Sequence, residues 1–342
     1  MSVDRVVAGE VAVDLRPCLR GDRNESLLGP PEGAVAAIRR AARSLHRYPV
    51  ETLERATAAI AATYGVRPGQ VLVTTGVDEA TDLCLLHFDR CHATTPGFDG
   101  YVARADALRR PMTLHELTPG FALPRLGERD LPAGELLMLA SPNNPTGITF
   151  DAETLETLLA RGVWIMLDET YGDFSEDAPG LRWLSEGRNV VVFRSFSKSF
   201  GLAGLRIGAL IGDPTILADL AARKAFCTPG ALALEALVGA LSEDPDYPAR
   251  LAAYTRPRRA NLVAALRRVP CFTKVLDTET NFVLALTDGP AQAQACVAAA
   301  ATAGHAIKPA ADLGLPGAVR ITVREFDDNE LLAAVLTNGV TT

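Results

Sequence analysis

Arg194-Ser195-Phe196-Ser197-Lys198-Ser199-Phe200-Gly201-Leu202 places a lysine among hydroxyls, soon after the apolar run Val190-Val191-Val192-Phe193 and ahead of Arg206. The run reads as a buried strand, and Gly201, Gly204 and Gly208 punctuate the residues after it, so Lys198 is expected at a strand end beside a turn. Partial desolvation at such a place lowers the amine's pKa and frees it as a nucleophile, which suits a lysine that forms a Schiff base. The plainer alternative is a solvated lysine in a serine-rich loop.

Three other groups carry chemistry of a compatible kind. Ser141-Pro142-Asn143-Asn144-Pro145-Thr146-Gly147 succeeds an apolar run that it cannot continue, and so makes a rigid turn presenting amide side chains; an ordinary Asn-Pro turn has the same composition. Asp168 ends the run Val163-Trp164-Ile165-Met166-Leu167, where a carboxylate is costly unless it meets a cation or a donor, or caps a helix. Gly76-Val77-Asp78-Glu79 stands between a short strand and a helix, so its free N–H groups form a cradle for phosphate, with Arg206 as the charge partner.

The elements that must position these groups are set by period and punctuation. The first 30 residues carry Pro17, Gly21, Gly29 and Pro30 without sustained periodicity and read as an arm. Pro31 fits the first turn of a helix through 34–38, a second helix spans about 50–64, and 71–73 is a short strand. Apolar runs at 136–140, 163–167, 190–193 and 207–211 are too short for stable helices and do not alternate. They read as strands buried on both faces, hence an α/β fold with a mainly parallel sheet covered by helices. In such sheets ligands bind at the carboxyl ends of strands, and Gly76, Asn144, Asp168 and Lys198 each lie just after one. From about residue 245 the pattern becomes α+β: a basic helical stretch over 254–268, strands at 272–275 and 282–285, an alanine-rich helix at 291–301, a strand at 319–323 and a last helix. The expected division is an arm at 1–30, a large domain at 31–245 and a smaller carboxyl-terminal domain at 246–342, which the arm joins.

Composition excludes several classes. A hydrophobic share of 48% with 22% charged residues matches an ordinary globular protein. The net charge of −7 gives no reason to bind nucleic acid or an anionic membrane, so anionic small ligands need local basic sites. The six cysteines form no CxxC pair and no zinc-type spacing, and read as reduced, mostly buried thiols of a cytoplasmic protein. No apolar stretch reaches membrane-spanning length.

In this order and spacing, the pieces resemble the fold-type I pyridoxal 5′-phosphate (PLP) enzymes, in particular the histidinol-phosphate aminotransferase-like branch of the class I/II aminotransferases. The resemblance runs from Asn24-Glu25 and Arg47-Tyr48-Pro49 through Thr75-Gly76-Val77-Asp78-Glu79, Pro96-Gly97-Phe98-Asp99-Gly100-Tyr101, 141–147, 168–171 and 195–206 to Val319-Arg320-Ile321-Thr322-Val323. It implies that Lys198 holds PLP and moves a proton, that Asp168 keeps the pyridine nitrogen protonated, and that Tyr171 and Asn144 bond the ring's phenolic oxygen. It implies Phe98 stacked on the ring, where tyrosine is commoner. The phosphate would lie with Ser195, Ser197, Arg206 and the backbone of Gly76, Val77 and Asp78. Tyr48 would reach the phosphate of a neighbouring subunit, which makes the active unit a homodimer with sites at its interface. Arg320 would grip the substrate's carboxylate, with Asn24 and Lys308 also on the substrate side.

Three departures bear on the substrate. Ala306-Ile307-Lys308-Pro309 has lysine where an arginine typically helps bind a substrate phosphate, and lysine keeps the charge but loses the planar fork. Arg324 replaces a glycine after the final motif, and Val77 replaces a small or hydroxyl residue. The expected reaction is amino-group exchange between an amino acid, or amino alcohol phosphate, and a 2-oxo acid. The same residues would serve a related decarboxylase, cyclase or oxidase, and a non-catalytic PLP-binding protein is a further alternative.

Overall fold

Apolar runs bounded by Gly, Pro, Asn and Asp become strands, and the amphipathic stretches between them become helices. In the computed structural model, which describes residues 19–340, the described elements start with β1 (Leu19–Gly21), α1 (Glu32–Ala41), α2 (Val50–Tyr64), β2 (Val71–Thr74) and α3 (Gly76–His87). They continue through β3 (Cys91–Thr95), α4 (Asp99–Ala107), β4 (Met112–Glu116), β5 (Leu136–Ala140), α5 (Ala152–Ala160) and β6 (Trp164–Asp168). Then come α6 (Gly180–Ser185), β7 (Val190–Ser195), β8 (Gly208–Ile211), α7 (Pro214–Ala221), α8 (Ala231–Glu243) and α9 (Tyr247–Leu266). The remaining elements are β9 (Lys274–Val275), β10 (Phe282–Leu286), α10 (Pro290–Thr302), β11 (His305–Pro309), β12 (Ala318–Thr322) and α11 (Phe326–Gly339).

Seven strands form one sheet in the order β2-β8-β7-β6-β5-β3-β4, with β8 antiparallel to both of its neighbours and every other pairing parallel. All five residues of β5 and all six of β7 are buried, as expected of strands covered on both faces. Leu137, Leu139, Ile165, Leu167 and Val192 belong to one apolar cluster; Leu136, Met138, Met166, Val191 and Phe193 belong to another. Truncating a leucine in either cluster to alanine costs about 2–5 kcal/mol by loss of burial and by the cavity left.

The second sheet has five strands in the order β1-β11-β12-β10-β9, and β1 brings the end of the amino-terminal segment into it by parallel pairing with β11. Val283, Ala285, Val319 and Ile321 face a helix-covered core, while Phe282 and Leu284 belong to the core shared with the large sheet. Alternation therefore turns Arg320 away from the helix-covered core.

Four expectations shift. The strand expected at 207–211 is β8 and runs antiparallel, which carries the preceding Arg206 to the edge of the sheet where β7 ends. The strand expected over 272–275 shrinks to two residues, because only Val275 and Lys274 pair with β10. Pro31 is the N-cap of α1 and not its first helical residue. The basic helix starts at Tyr247, with Pro248 in its first turn, and runs through Pro257, where a proline would ordinarily be expected to break it.

Candidate active site

The carboxyl ends of β2, β3, β5, β6 and β7 lie along one edge of the large sheet, and the turns leaving them carry most of the candidate residues. Asp168 closes β6 and is 3% exposed. Its Oδ2 accepts from the Tyr101 hydroxyl at 2.8 Å, and its Oδ1 accepts from the Thr170 backbone N–H at 2.9 Å and from the Thr170 hydroxyl. Burial pushes its pKa up, and the Thr170 and Tyr101 bonds counter that shift. These partners are neutral donors, so the buried carboxylate fits a cationic ring nitrogen.

Lys198 leaves the turn after β7, and its Nζ donates to the carbonyl of Arg23 at 2.7 Å. Burial, with the nearby Arg320 and Arg206 cations, draws its pKa down to about 8, against the pull of Glu25. Free amine is therefore present near neutral pH, the state a nucleophilic lysine needs. Ser195 and Ser197 are buried beside it, and the Ser197 N–H donates to Ser195 Oγ at 3.2 Å.

The phosphate cradle is built where β2 meets α3. Gly76 holds φ +75°, a backbone conformation that favours glycine, and its Cα faces the guanidinium of Arg206 closely, a Cβ there lying 3.0 Å from Nη2. Thr75, the N-cap, makes no side-chain capping bond, so its side chain does not take up the first N–H groups of α3, which include those of Val77 and Asp78. Arg206 lies against this turn and pairs with Asp78 at 3.0 Å. The cation and the amides face one place, as an incoming phosphate requires.

Segment 22–24 crosses between the sheets. Asn24, 1% exposed and at φ 52°, donates from Nδ2 to the Tyr171 hydroxyl at 2.8 Å. Its backbone N–H donates to Thr322 Oγ1 at 3.0 Å, and its carbonyl accepts from Asn281 Nδ2 at 3.0 Å. Asn24 thus orients Tyr171. Burial raises the Tyr171 pKa, countered by Arg320 and the Asn24 bond.

Arg320 on β12 donates to Asn144 Oδ1 at 2.6 Å and to the Asp22 carbonyl at 2.6 Å, while its buried Nε lacks a partner among the described residues. Lys308 stands directly opposite it across the β11–β12 pair, so the two cations share one face of the sheet. Lys308 Nζ lies 3.5 Å from Asp312. Phe98, half-buried, meets Tyr101 edge to face at 5.2 Å. Tyr48 stands apart: it is 77% exposed and touches Phe226, itself 78% exposed.

Four residues hold the site together by bonds that the sequence does not disclose. Tyr101 and Thr170 anchor Asp168. Glu79 accepts from the Thr75 N–H and hydroxyl with one oxygen and from the Thr228 hydroxyl with the other, with Lys224 3.4 Å away. Asn143 Nδ2 binds Thr146 Oγ1 at 3.0 Å and fixes the turn that presents Asn144. A helix-spaced glutamate reaching back to a strand–helix junction is a signal for the Glu79 role. Tyr101 gives none, because its partner is 67 residues away.

Nearly the whole chain is similar to known proteins. The aminotransferase class I and II family matches residues 21–336. A histidinol-phosphate aminotransferase of Granulibacter bethesdensis is 32% identical over 328 residues, covering 92% of this chain and 87% of its own. One of Symbiobacterium thermophilum is 33% identical over 340 residues, covering 95% and 92%. Among solved structures, the histidinol-phosphate aminotransferase of Clostridium acetobutylicum superposes with TM-score 0.85 at 18% identity over 94% of this chain and 98% of its own. That of Sinorhizobium meliloti, solved in complex with pyridoxal-5′-phosphate, gives 0.83 at 22% identity over 94% and 90%.

The chain belongs to the class I and II aminotransferases, with the fold-type I architecture. It is a PLP-dependent aminotransferase of the histidinol-phosphate aminotransferase-like branch.

Proposed function

We propose that this enzyme exchanges the amino group of a phosphorylated amino alcohol of the histidinol phosphate type with that of an amino acid/2-oxo acid pair. The observation that carries the substrate class is the cross-strand pair Lys308 and Arg320, two cations on one face beside Asn144. Two adjacent cations suit an anionic substrate group better than a neutral side chain.

The residues fit the cofactor, which when bound supplies an electron sink for the pair released at the substrate's α-carbon. Asp168 would face the ring nitrogen, held by Tyr101 and Thr170. Tyr171 and Asn144 would orient the phenolic side and Phe98 the ring face. Gly76, Val77, Asp78, Ser195, Ser197 and Arg206 would take the phosphate, with Arg206 exchanging Asp78 for it. Lys198 Nζ, once free, carries the proton to and from the substrate's α-carbon. Arg320 binds the substrate anion, and Asn24 keeps Tyr171 in place.

We further propose a division at 31–245 and 246–342, with the arm joined to the smaller unit through β1, and a cytoplasmic homodimer as the working form. The exposed Leu45, Tyr48, Val50 and Phe226 support the dimer, since such a group of apolar side chains favours burial against a second copy. Tyr48 would then meet the partner's phosphate.

The test is a screen of amino donors with 2-oxoglutarate as acceptor. Histidinol phosphate should exchange its amino group in equal amount with glutamate formed, and Lys308→Ala should raise its KM while leaving that of unphosphorylated histidinol unchanged. Equal KM effects on both donors would remove Lys308 from phosphate binding. Carbon dioxide release from an amino-acid substrate, without amino-group exchange, would establish the decarboxylase alternative instead.

A further inference from the structure

Cys271 and Cys296 are 25 residues apart, yet their sulfurs approach to 3.5 Å on the helix-covered side of the small sheet. Cys271 lies in the turn between α9 and β9, and Cys296 lies in the middle of α10. Both belong to the cluster of Val283, Ala285, Val319 and Ile321, on the opposite face of the sheet from Arg320. Neither thiol touches the active-site residues, so the aminotransferase reaction gives no reason for the pairing.

The contact is a thiol–thiol hydrogen bond at 3.5 Å. Disulfide sulfurs stand about 2.05 Å apart, so a movement of roughly 1.5 Å would close the bond. Cys271 sits in a turn with exposed Pro270 and Thr273 on either side, so local opening there can admit a small oxidant.

We propose that Cys271 and Cys296 form a dithiol site that hydrogen peroxide or a comparable small peroxide oxidises reversibly to an intramolecular disulfide. Cys271 as thiolate attacks one peroxide oxygen, the O–O bond breaks, and the departing hydroxide takes up a proton to become water. The resulting sulfenic acid is then attacked by Cys296 sulfur. The S–S bond forms, the S–O bond breaks, and the thiol proton leaves with the hydroxyl as a second water. Two thiols are oxidised and one peroxide is reduced. The hydrogen bond from Cys296 draws the Cys271 pKa down, while that bond and burial push Cys296 up, which fits this order of attack.

The other cysteines provide internal controls. Cys84 and Cys91 are buried in the large unit and Cys227 is partly exposed. Purified holoenzyme, freed of reductant, is treated with hydrogen peroxide, then denatured, its thiols counted and its peptides mapped by mass spectrometry without reduction. The expected result is a fall from the chain's six thiols by two, with one cross-linked peptide pair containing Cys271 and Cys296. Dithiothreitol restores both thiols. The melting temperature of the oxidised protein rises by several degrees, because the link constrains the unfolded chain. Cys271→Ser and Cys296→Ser each abolish the cross-link and the rise. Retention of all six thiols, a cross-link between other cysteines, or added oxygen on either cysteine without a cross-link would overturn the proposal. Mapping the wild-type protein decides the matter even where a serine variant folds poorly.

Discussion

Arg320 Nη1 donates to Asn144 Oδ1 at 2.6 Å, so an arginine of the small sheet is seated on the turn that leaves β5 of the large one. Its fork is also what a substrate anion would engage, the amino donor's phosphate or the 2-oxo acid's carboxylate, with the buried Nε still to be satisfied. Arg320→Lys keeps the charge and loses the fork. Steady-state kinetics should show the amino donor's KM rising by about 10- to 100-fold, the effect of one or two charge-assisted hydrogen bonds.

Asp168 is fixed by Tyr101 and Thr170, and its charge is the feature that suits a protonated ring nitrogen. Asp168→Asn should lower kcat by at least about 100-fold while cofactor still binds, since the amide cannot hold that proton in place. Tyr101→Phe removes one donor and should lower kcat by roughly tenfold. Stopped-flow measurement of the half-reaction with amino donor separates these effects from product release.

Lys198 sets a pH dependence. Its pKa of about 8 means that the cofactor-free protein gains reactive amine as pH rises toward that value. The rate of PLP capture should climb about tenfold per pH unit below 8 and level off above it. Burial is the larger cause and Arg320 the next, so Arg320→Ala should move the midpoint upward. A folded pKa below the ordinary lysine value of 10.5 means that the unfolded chain binds more protons between about 8 and 10.5, so this residue's contribution to stability improves with rising pH across that window.

Glu79 ties Thr75, ahead of the phosphate cradle, to Thr228 and Lys224. Glu79→Gln keeps the shape and weakens the bonds. Titration of the cofactor-free protein should give a PLP Kd raised by about tenfold, with a smaller effect on kcat. Unchanged affinity would assign Glu79 to loop stability alone.

Glu169 and Arg194 form a buried ion pair at 2.7 Å beneath the same strand ends, with Arg194 also over the Tyr64 ring. Removing one partner strands the other, so Glu169→Gln should cost about 3–5 kcal/mol of stability by thermal or denaturant unfolding.

Much of this arrangement is legible in the chain because the groups concerned are local to strand ends. Asp168, Asn144, Gly76 and Lys198 each come at or just after the end of an apolar run, and parallel strands carry their carboxyl ends to one edge. Arg206 is legible as the charge partner of the Gly76 turn, but the antiparallel sense of β8 that brings it there is not, since that depends on pairing across the sheet. Tyr101, Thr170 and the Glu169–Arg194 pair are not legible as functional, because their partners are set by tertiary contacts and no local period marks them. The bond from Asn24 to Tyr171 is not legible either, because it depends on the path of residues 22–24 between the sheets. The Cys271–Cys296 contact arises from helix-on-sheet docking, which spacing alone does not disclose.

The central claim is that Lys198 is the residue that holds the cofactor, and the chain offers only Lys198, Lys224, Lys274 and Lys308 as candidates. Borohydride reduction of the PLP-loaded protein, and then peptide mapping, identifies the lysine that carries it. The phosphopyridoxyl group is expected on Lys198 in stoichiometric amount, and is lost in Lys198→Ala. Stoichiometric label on Lys224, Lys274 or Lys308, or a Lys198→Ala protein that still binds PLP covalently and turns over amino donors, would contradict it.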